Sequence, residues 1–487
     1  MWHDVSLTGL LICILSTVSV CVLARLTWRA HRDGKRLRAT VLGLSLIHEL
    51  ALVAYPGWYD AVTGFKAESD LGLRPSRLLV VYFGELLFIL LFAGTLFIRD
   101  HGTKRCTSFQ SKAGLAQQAD RDHIFLEVMI VAAFALYVGQ FFLPTISYET
   151  LETHYQFTPH PGLSSFIVDW GGNFVRWPGL IAAGIGLADR RVRPAIRALA
   201  LITVVAEIVF SMINGLRGGV VWVASVIALA GYFKYSKKVL AVALAASIGL
   251  APLMTWMHTY MRYVTLAAPL GTLNWQMIPE LMRDALEHNI PENAAVGSNF
   301  LQAWSIRAIG PLDSIYLYKL HDEGNGGSYR PILSTVAFPI PHALWPDKPI
   351  AGSTDDSNLG MAIYRVQQQK PDNAFYDMGP ILASAHAYWE GGWPFLYLAA
   401  IFTGWFWSKL LSWAERAQSE AVNIVVLTFT AALPIDGFFD MVNPLFTYFR
   451  LVWITLIPML ALIRVLDVWA QWRKAVHNPI RRFLAAQ

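Results

Sequence analysis

Residues 78–98 read LLVVYFGELLFILLFAGTLFI. The stretch carries one charge, Glu85, and at about 1.5 Å per helical residue it can cross a hydrocarbon core of about 30 Å. Runs of the same kind recur on both sides of it along the whole 487 residues. The chain is 55% hydrophobic and 15% charged, with a mean hydropathy of +0.42. A soluble domain carries about 25% charged residues, so this chain has too few to coat a surface facing water. With 18 Trp, 18 Tyr and 27 Phe, the composition excludes a disordered protein, a nucleic-acid-binding domain and an ordinary cytosolic enzyme. It points to an all-α, polytopic integral membrane protein.

The spacing predicts eleven membrane spans, near 5–25, 39–56, 78–98, 124–144, 164–187, 197–213, 219–234, 239–257, 393–411, 421–439 and 445–464. The first lacks a basic leader and ends in a basic stop, so it reads as a retained span rather than a signal peptide. Lysines and arginines collect on alternate loops. Arg25 to Arg38 follow the first span, Arg99 to Arg121 the third and Arg190 to Arg197 the fifth. Lys234 to Lys238 follow the seventh, Lys409 and Arg416 the ninth, and the tail carries Arg464 to Arg482. The positive-inside rule then puts the N-terminus outside and the C-terminus inside. The net charge of +5 follows from this bias and needs no nucleic acid. Cys13 and Cys21 are too far apart on one helix to bridge, and Cys106 falls in a loop read as cytoplasmic.

This divides the chain into spans 1–8 (1–257), a large extracytoplasmic loop (258–392), and spans 9–11 with a cytoplasmic tail (393–487). The loop holds 13 acidic residues against 8 basic and is rich in turn formers, as in PENAAVGSN (291–299) and HDEGNGGSY (321–329). Its tryptophans and aliphatics predict a mostly helical unit, with helices at about 275–290, 299–320, 353–370 and 379–389.

Charges inside spans are costly and mark candidate sites. They are His48, Glu49, Glu85, Glu127, Asp169, Arg176, Glu207, Asp436 and Asp440. His48 and Glu49 can pair inside the bundle, and Glu127, near a span end, can snorkel or pair with a neighbour. Asp169 and Arg176 are seven apart and share a helix face, as a buried pair or facing substrate. Arg217 sits between glycines on the turn after span six, where guanidinium and free amides can hold an anion. Arg262, Arg307, Arg330, Lys348 and Arg365 lie in the outer loop against the charge bias. No metal, nucleophile or phosphate-loop motif is present, and His258, His288, His321, His342 and His386 have no ligand-like spacing. The reading therefore has no metal and no cofactor.

Four segments together resemble the oligosaccharide repeat-unit polymerases, the Wzy-type O-antigen and exopolysaccharide polymerases. NGLRGGVVW (214–222) with FKYSKK (233–238) looks like their glycine–arginine turn and the span after it. WSIRAIGPLDSIYLY (304–318) resembles their arginine-bearing helix. FPIPHALWPDKPIAG (338–352) is similar to their proline–tryptophan–lysine stretch, with His342 where arginine is more common. HAYWEGGWPFLYLAAIFTG (386–404) resembles the segment re-entering the membrane, with His386 where that family often has glutamate and Glu390 four residues on.

The resemblance implies a metal-independent glycosyltransferase of the bacterial inner membrane. It would join polyprenyl-diphosphate-linked oligosaccharides on the outer face, among membrane lipid, with a flippase and a chain-length regulator as partners. Arg or Lys can stabilise a leaving lipid diphosphate without a metal, and the attacking hydroxyl needs a base. Arg217, Arg307, Arg330 and Lys348 are the expected diphosphate ligands, with Arg176 and Arg262 in reserve. His386 is the expected base, with Glu390, Asp313 and Asp436 behind it. An O-antigen ligase would share this plan. A secondary transporter would use the buried carboxylates as an ion path, and a non-catalytic assembly subunit would not need Arg217.

Overall fold

The computed structural model describes residues 7–63, 75–102, 112–142, 175–213, 223, 232, 283, 310–324, 326, 382–429 and 452–485. Among them the chain is helical throughout, with no strand element. Three of the helices are long and apolar enough to cross a membrane: Leu7–Arg32, Ser76–Ile98 and Ala383–Ala417. Backbone packing divides the chain into two compact units, each assembled from stretches distant in sequence.

The first unit holds α1 (Leu7–Arg32), α2 (Arg36–Glu49), α3 (Tyr55–Thr63), α4 (Pro75–Gly102), α8 (Gly310–Asp322) and most of α9 (Ala383–Ala417). Arg29, His31 and Arg32 fill the last turn of α1, where cations complement the helix dipole. The helix stops at Gly34, whose φ of 72° favours glycine, with the Lys35 N–H returning to the Ala30 carbonyl. α2 continues through one wide π turn, Leu50–Ala54, into α3. Pro56 lies just beyond that turn and has no N–H to offer the normal ladder. The predicted span 39–56 is thus a longer, interrupted helix.

α1 packs on α2, α3 and α4. α9 meets α4 through glycine: a Cβ on Gly404 would stand 2.8 Å from the Phe92 carbonyl oxygen, so the two backbones approach closely. Trp389, Trp407, Tyr82, Phe88 and Phe92 are fully buried, while Leu7, Leu10, Ile14, Phe97, Ile98, Leu398 and Trp405 point outward. An apolar exterior over a well-packed interior is what a bilayer demands of helices. Arg38 differs from its sequence reading as a loop charge. It is buried in α2, and its Nε donates to Glu415 Oε1 of α9 at 3.1 Å.

The second unit holds α5 (Lys112–Phe142), α6 (Trp177–Ala188), α7 (Pro194–Ile213), α10 (Glu420–Thr428) and α11 (Ile457–Ala485), the last preceded by a π turn at Val452–Leu456. α5, α6 and α7 pack on one another, α10 rests on α5 and α6, and α11 on α5. The stretch 99–122, expected as a loop, is helical to Gly102 and again from Lys112. Arg121 is therefore a helix residue. It donates to Asp122, to Asp467 of α11 and to Ser419. Asp122 and Ser419 in turn accept the Glu420 and Val422 N–H groups, capping α10.

Candidate functional site

α9 carries the features on which a site can be built. Its regular path breaks at Gly391 (φ −159°, ψ 25°) and Gly392 (φ 65°, ψ −157°), and Pro394 follows. The Gly392 conformation belongs to a region that only glycine enters cheaply. Proline is tolerated where a helix restarts, because its missing N–H would be unpaired there anyway. The break falls where the sequence separates loop from ninth span. The arm before it, 383–390, covers most of the helix expected at 379–389.

That arm is buried side by side: Ser384, His386, Tyr388, Trp389 and Glu390 are all at or below 8% exposure. The Leu382 N–H donates to Ser314 Oγ of α8 at 3.1 Å, and the His386 N–H returns to the Leu382 carbonyl at 3.1 Å. Ser384 Oγ donates to Glu85 Oε2 of α4 at 2.5 Å. Glu49 of α2 is within electrostatic reach of Glu85, and its Oε1 accepts from the Ser19 hydroxyl of α1. Four helices thus bring two buried carboxylates and two serines together. Ser19 is the partner that α1 places opposite Glu49 Oε1.

Tyr318 of α8 stacks on Tyr388 at 4.1 Å between ring centroids, and Trp393 meets Tyr388 edge-on at 5.2 Å. Burial, then the charge of Glu85, holds the Tyr318 phenol well above its usual range, so it remains a neutral hydroxyl. The Tyr388 hydroxyl donates to Asp322 Oδ1 at 2.9 Å. His321 Nδ1 lies 3.2 Å from the Trp389 carbonyl oxygen, and its ring stands edge-on to Tyr388 at 4.9 Å. Three contacts therefore tie the end of α8 to the arm of α9 next to its break.

In the second unit, Arg176 forms a two-pronged pair with Glu207 of α7. Its Nη2 reaches Oε1 at 2.6 Å and its Nε reaches Oε2 at 2.9 Å. The Tyr137 hydroxyl of α5 also donates to Glu207. Glu207 has no exposed surface, so Arg176 already neutralises a buried charge. Asp169, its expected partner, lies outside the described residues. Glu127, in the middle of α5, stands 3.4 Å from His123 of the same helix and 3.6 Å from Arg193, just before α7.

Of the sequence-derived site residues, the structure brings His386 and Glu390 into the buried arm of α9. Asp313 lies in the first turn of α8. Arg217, Arg262, Arg307, Arg330 and Lys348 lie outside the described residues, as do His342, Asp436 and Asp440. Among the described residues no three of His, Cys, Asp and Glu come together as a metal-binding set.

His321 and the nearness of Glu49 to Glu85 escaped the sequence reading. The only signal for His321 was its place in HDEGNGG (321–327), a helix end followed by glycines. No family model matches the chain, and no curated protein or solved structure matches it either.

Proposed function

We propose that this chain is a glycosyltransferase of the bacterial inner membrane that polymerises polyprenyl-diphosphate-linked oligosaccharides at the outer face. The topology that goes with this reading is N-terminus outside, C-terminus inside, with residues 258–392 outside. The observation that carries the proposal is the break in α9. A membrane-length helix bends at two glycines and sets a histidine, a carboxylate and aromatic rings beside its upper arm. A lipid-linked sugar presents its anomeric carbon at such a boundary, since the polyprenyl tail stays in the hydrocarbon and the sugars do not. Tyrosine and tryptophan suit this depth, being apolar in body and polar at the tip.

The reaction needs two kinds of group. A base takes the proton of the acceptor hydroxyl as its oxygen bonds to the anomeric carbon. The bond from that carbon to the diphosphate breaks, and the diphosphate departs with the electron pair. Cations stabilise the departing charge. Arg217, Arg307, Arg330 and Lys348 are assigned that part, with Arg262 in reserve. Arg176 is already paired with Glu207, and drawing it away would strand a buried carboxylate. The base is assigned to the stretch where α8 packs along the arm of α9 that carries His386 and Glu390.

One observation favours a second reading, an ion-coupled transporter. Glu49 and Glu85 are buried beside each other in helices of the first unit, each accepting a serine hydroxyl. Carboxylates at membrane depth serve proton relays. Incubation of the purified chain with lipid-linked oligosaccharide separates the two. Polymer supports the transferase, and sugar movement without new glycosidic bonds supports the transporter.

A further inference from the structure

We propose that His321, at the end of α8, is the general base of this transferase, an assignment that rests on the glycosyl-transfer reading above. A carbonyl oxygen can only accept, so the 3.2 Å contact with the Trp389 carbonyl places the proton of the neutral ring on Nδ1. Nε2 then carries the lone pair, the arrangement in which one ring nitrogen is held by a backbone carbonyl and the other does the chemistry.

The surroundings of Nε2 are glycine. A Cβ on Gly392 would stand 2.9 Å from Nε2, and the three atoms nearest to that point all belong to the His321 ring. Any residue but glycine at the break would therefore press its Cβ against Nε2. A Cβ on Gly326 would stand 2.9 Å from Nδ1 and 2.7 Å from the Trp389 carbonyl oxygen, so the ring is seated between two positions that tolerate no side chain. His321 is half-buried, whereas His386 is 1% exposed. Of the two, His321 is the more exposed.

In the step, the acceptor O–H gives its proton to Nε2 while its oxygen bonds to the anomeric carbon. The carbon–diphosphate bond breaks toward the diphosphate. The imidazolium so formed sits in the last turn of α8, where the helix dipole favours positive charge, and it returns the proton to water.

Asparagine separates this role from a purely structural one, because its amide N–H can replace Nδ1 at the Trp389 carbonyl but supplies no base. The test uses the full chain in liposomes. The probe is the undecaprenyl-diphosphate-linked oligosaccharide pool extracted from host membranes lacking the chain. H321N should melt with the wild type and polymerise about 10²–10⁴-fold more slowly, and H321A should regain activity when imidazole is added. Polymerisation by H321N within about twofold of wild type, or loss in H321A that imidazole does not relieve, overturns the assignment. Loss in H386Q with H321N active moves the base to His386. A wild-type chain that forms no polymer from this pool defeats the transferase reading itself.

Discussion

Ser384 of α9 donates its hydroxyl to Glu85 of α4 at 2.5 Å, both groups buried. The contact joins the arm above the break to the middle of a membrane-length helix. Ser384→Ala removes a hydrogen bond to a buried carboxylate, a loss of about 1–3 kcal/mol. Thermal unfolding of the purified variant in detergent should show a lowered midpoint. An unchanged midpoint would mean that the contact contributes nothing.

Gly392→Ala should destabilise by about 1–3 kcal/mol, from the positive φ alone, with a further cost for displacing the His321 ring. Gly94→Ala, within α4, is the control. Nothing lies within 4 Å of its missing Cβ, so it should stabilise by about 0.5–1 kcal/mol. Equal effects of the two substitutions would show that the break in α9 is not held by glycine.

Arg176→Ala strands Glu207, which is fully buried, and should cost about 3–5 kcal/mol. The double variant Arg176→Ala/Glu207→Ala should recover part of that loss, because the pair is coupled. Additive losses in the cycle would contradict a direct pair.

The orientation is tested on a background with Cys13, Cys21 and Cys106 replaced by serine. An impermeant thiol reagent added to spheroplasts should label Asn325→Cys and spare Lys112→Cys. The reverse pattern would overturn the N-outside arrangement.

The apolar runs were legible because hydropathy is a local property. Residues 78–98 sit inside α4, and the predicted ends of the first span miss those of α1 chiefly at Arg29–Arg32, basic residues that extend the helix past the apolar run. The boundary between loop and ninth span at 392–393 was also legible and coincides with the break in α9, although Gly391, Gly392 and Pro394 were not read as a kink. Partner choice was not. Arg38 looked like one more basic loop residue until α9 brought Glu415 to it, and Glu207 reaches Arg176 across 31 positions. Glu49 and Glu85 were each visible as charges inside spans, but their nearness depends on how α1, α2 and α4 pack, which no local pattern records. His321 was hidden for the same reason: its partner, the Trp389 carbonyl, is a backbone group exposed by a bend 68 positions away.

The most direct measurement of the transferase reading is polymer formation by the purified full chain in liposomes. The substrate is lipid-linked oligosaccharide alone, without added metal or any other protein. The reading predicts a ladder of products, each longer by one repeat unit, together with release of polyprenyl diphosphate in equal amount. Intact lipid-linked oligosaccharide after prolonged incubation, with the chain folded by its unfolding curve, would contradict it.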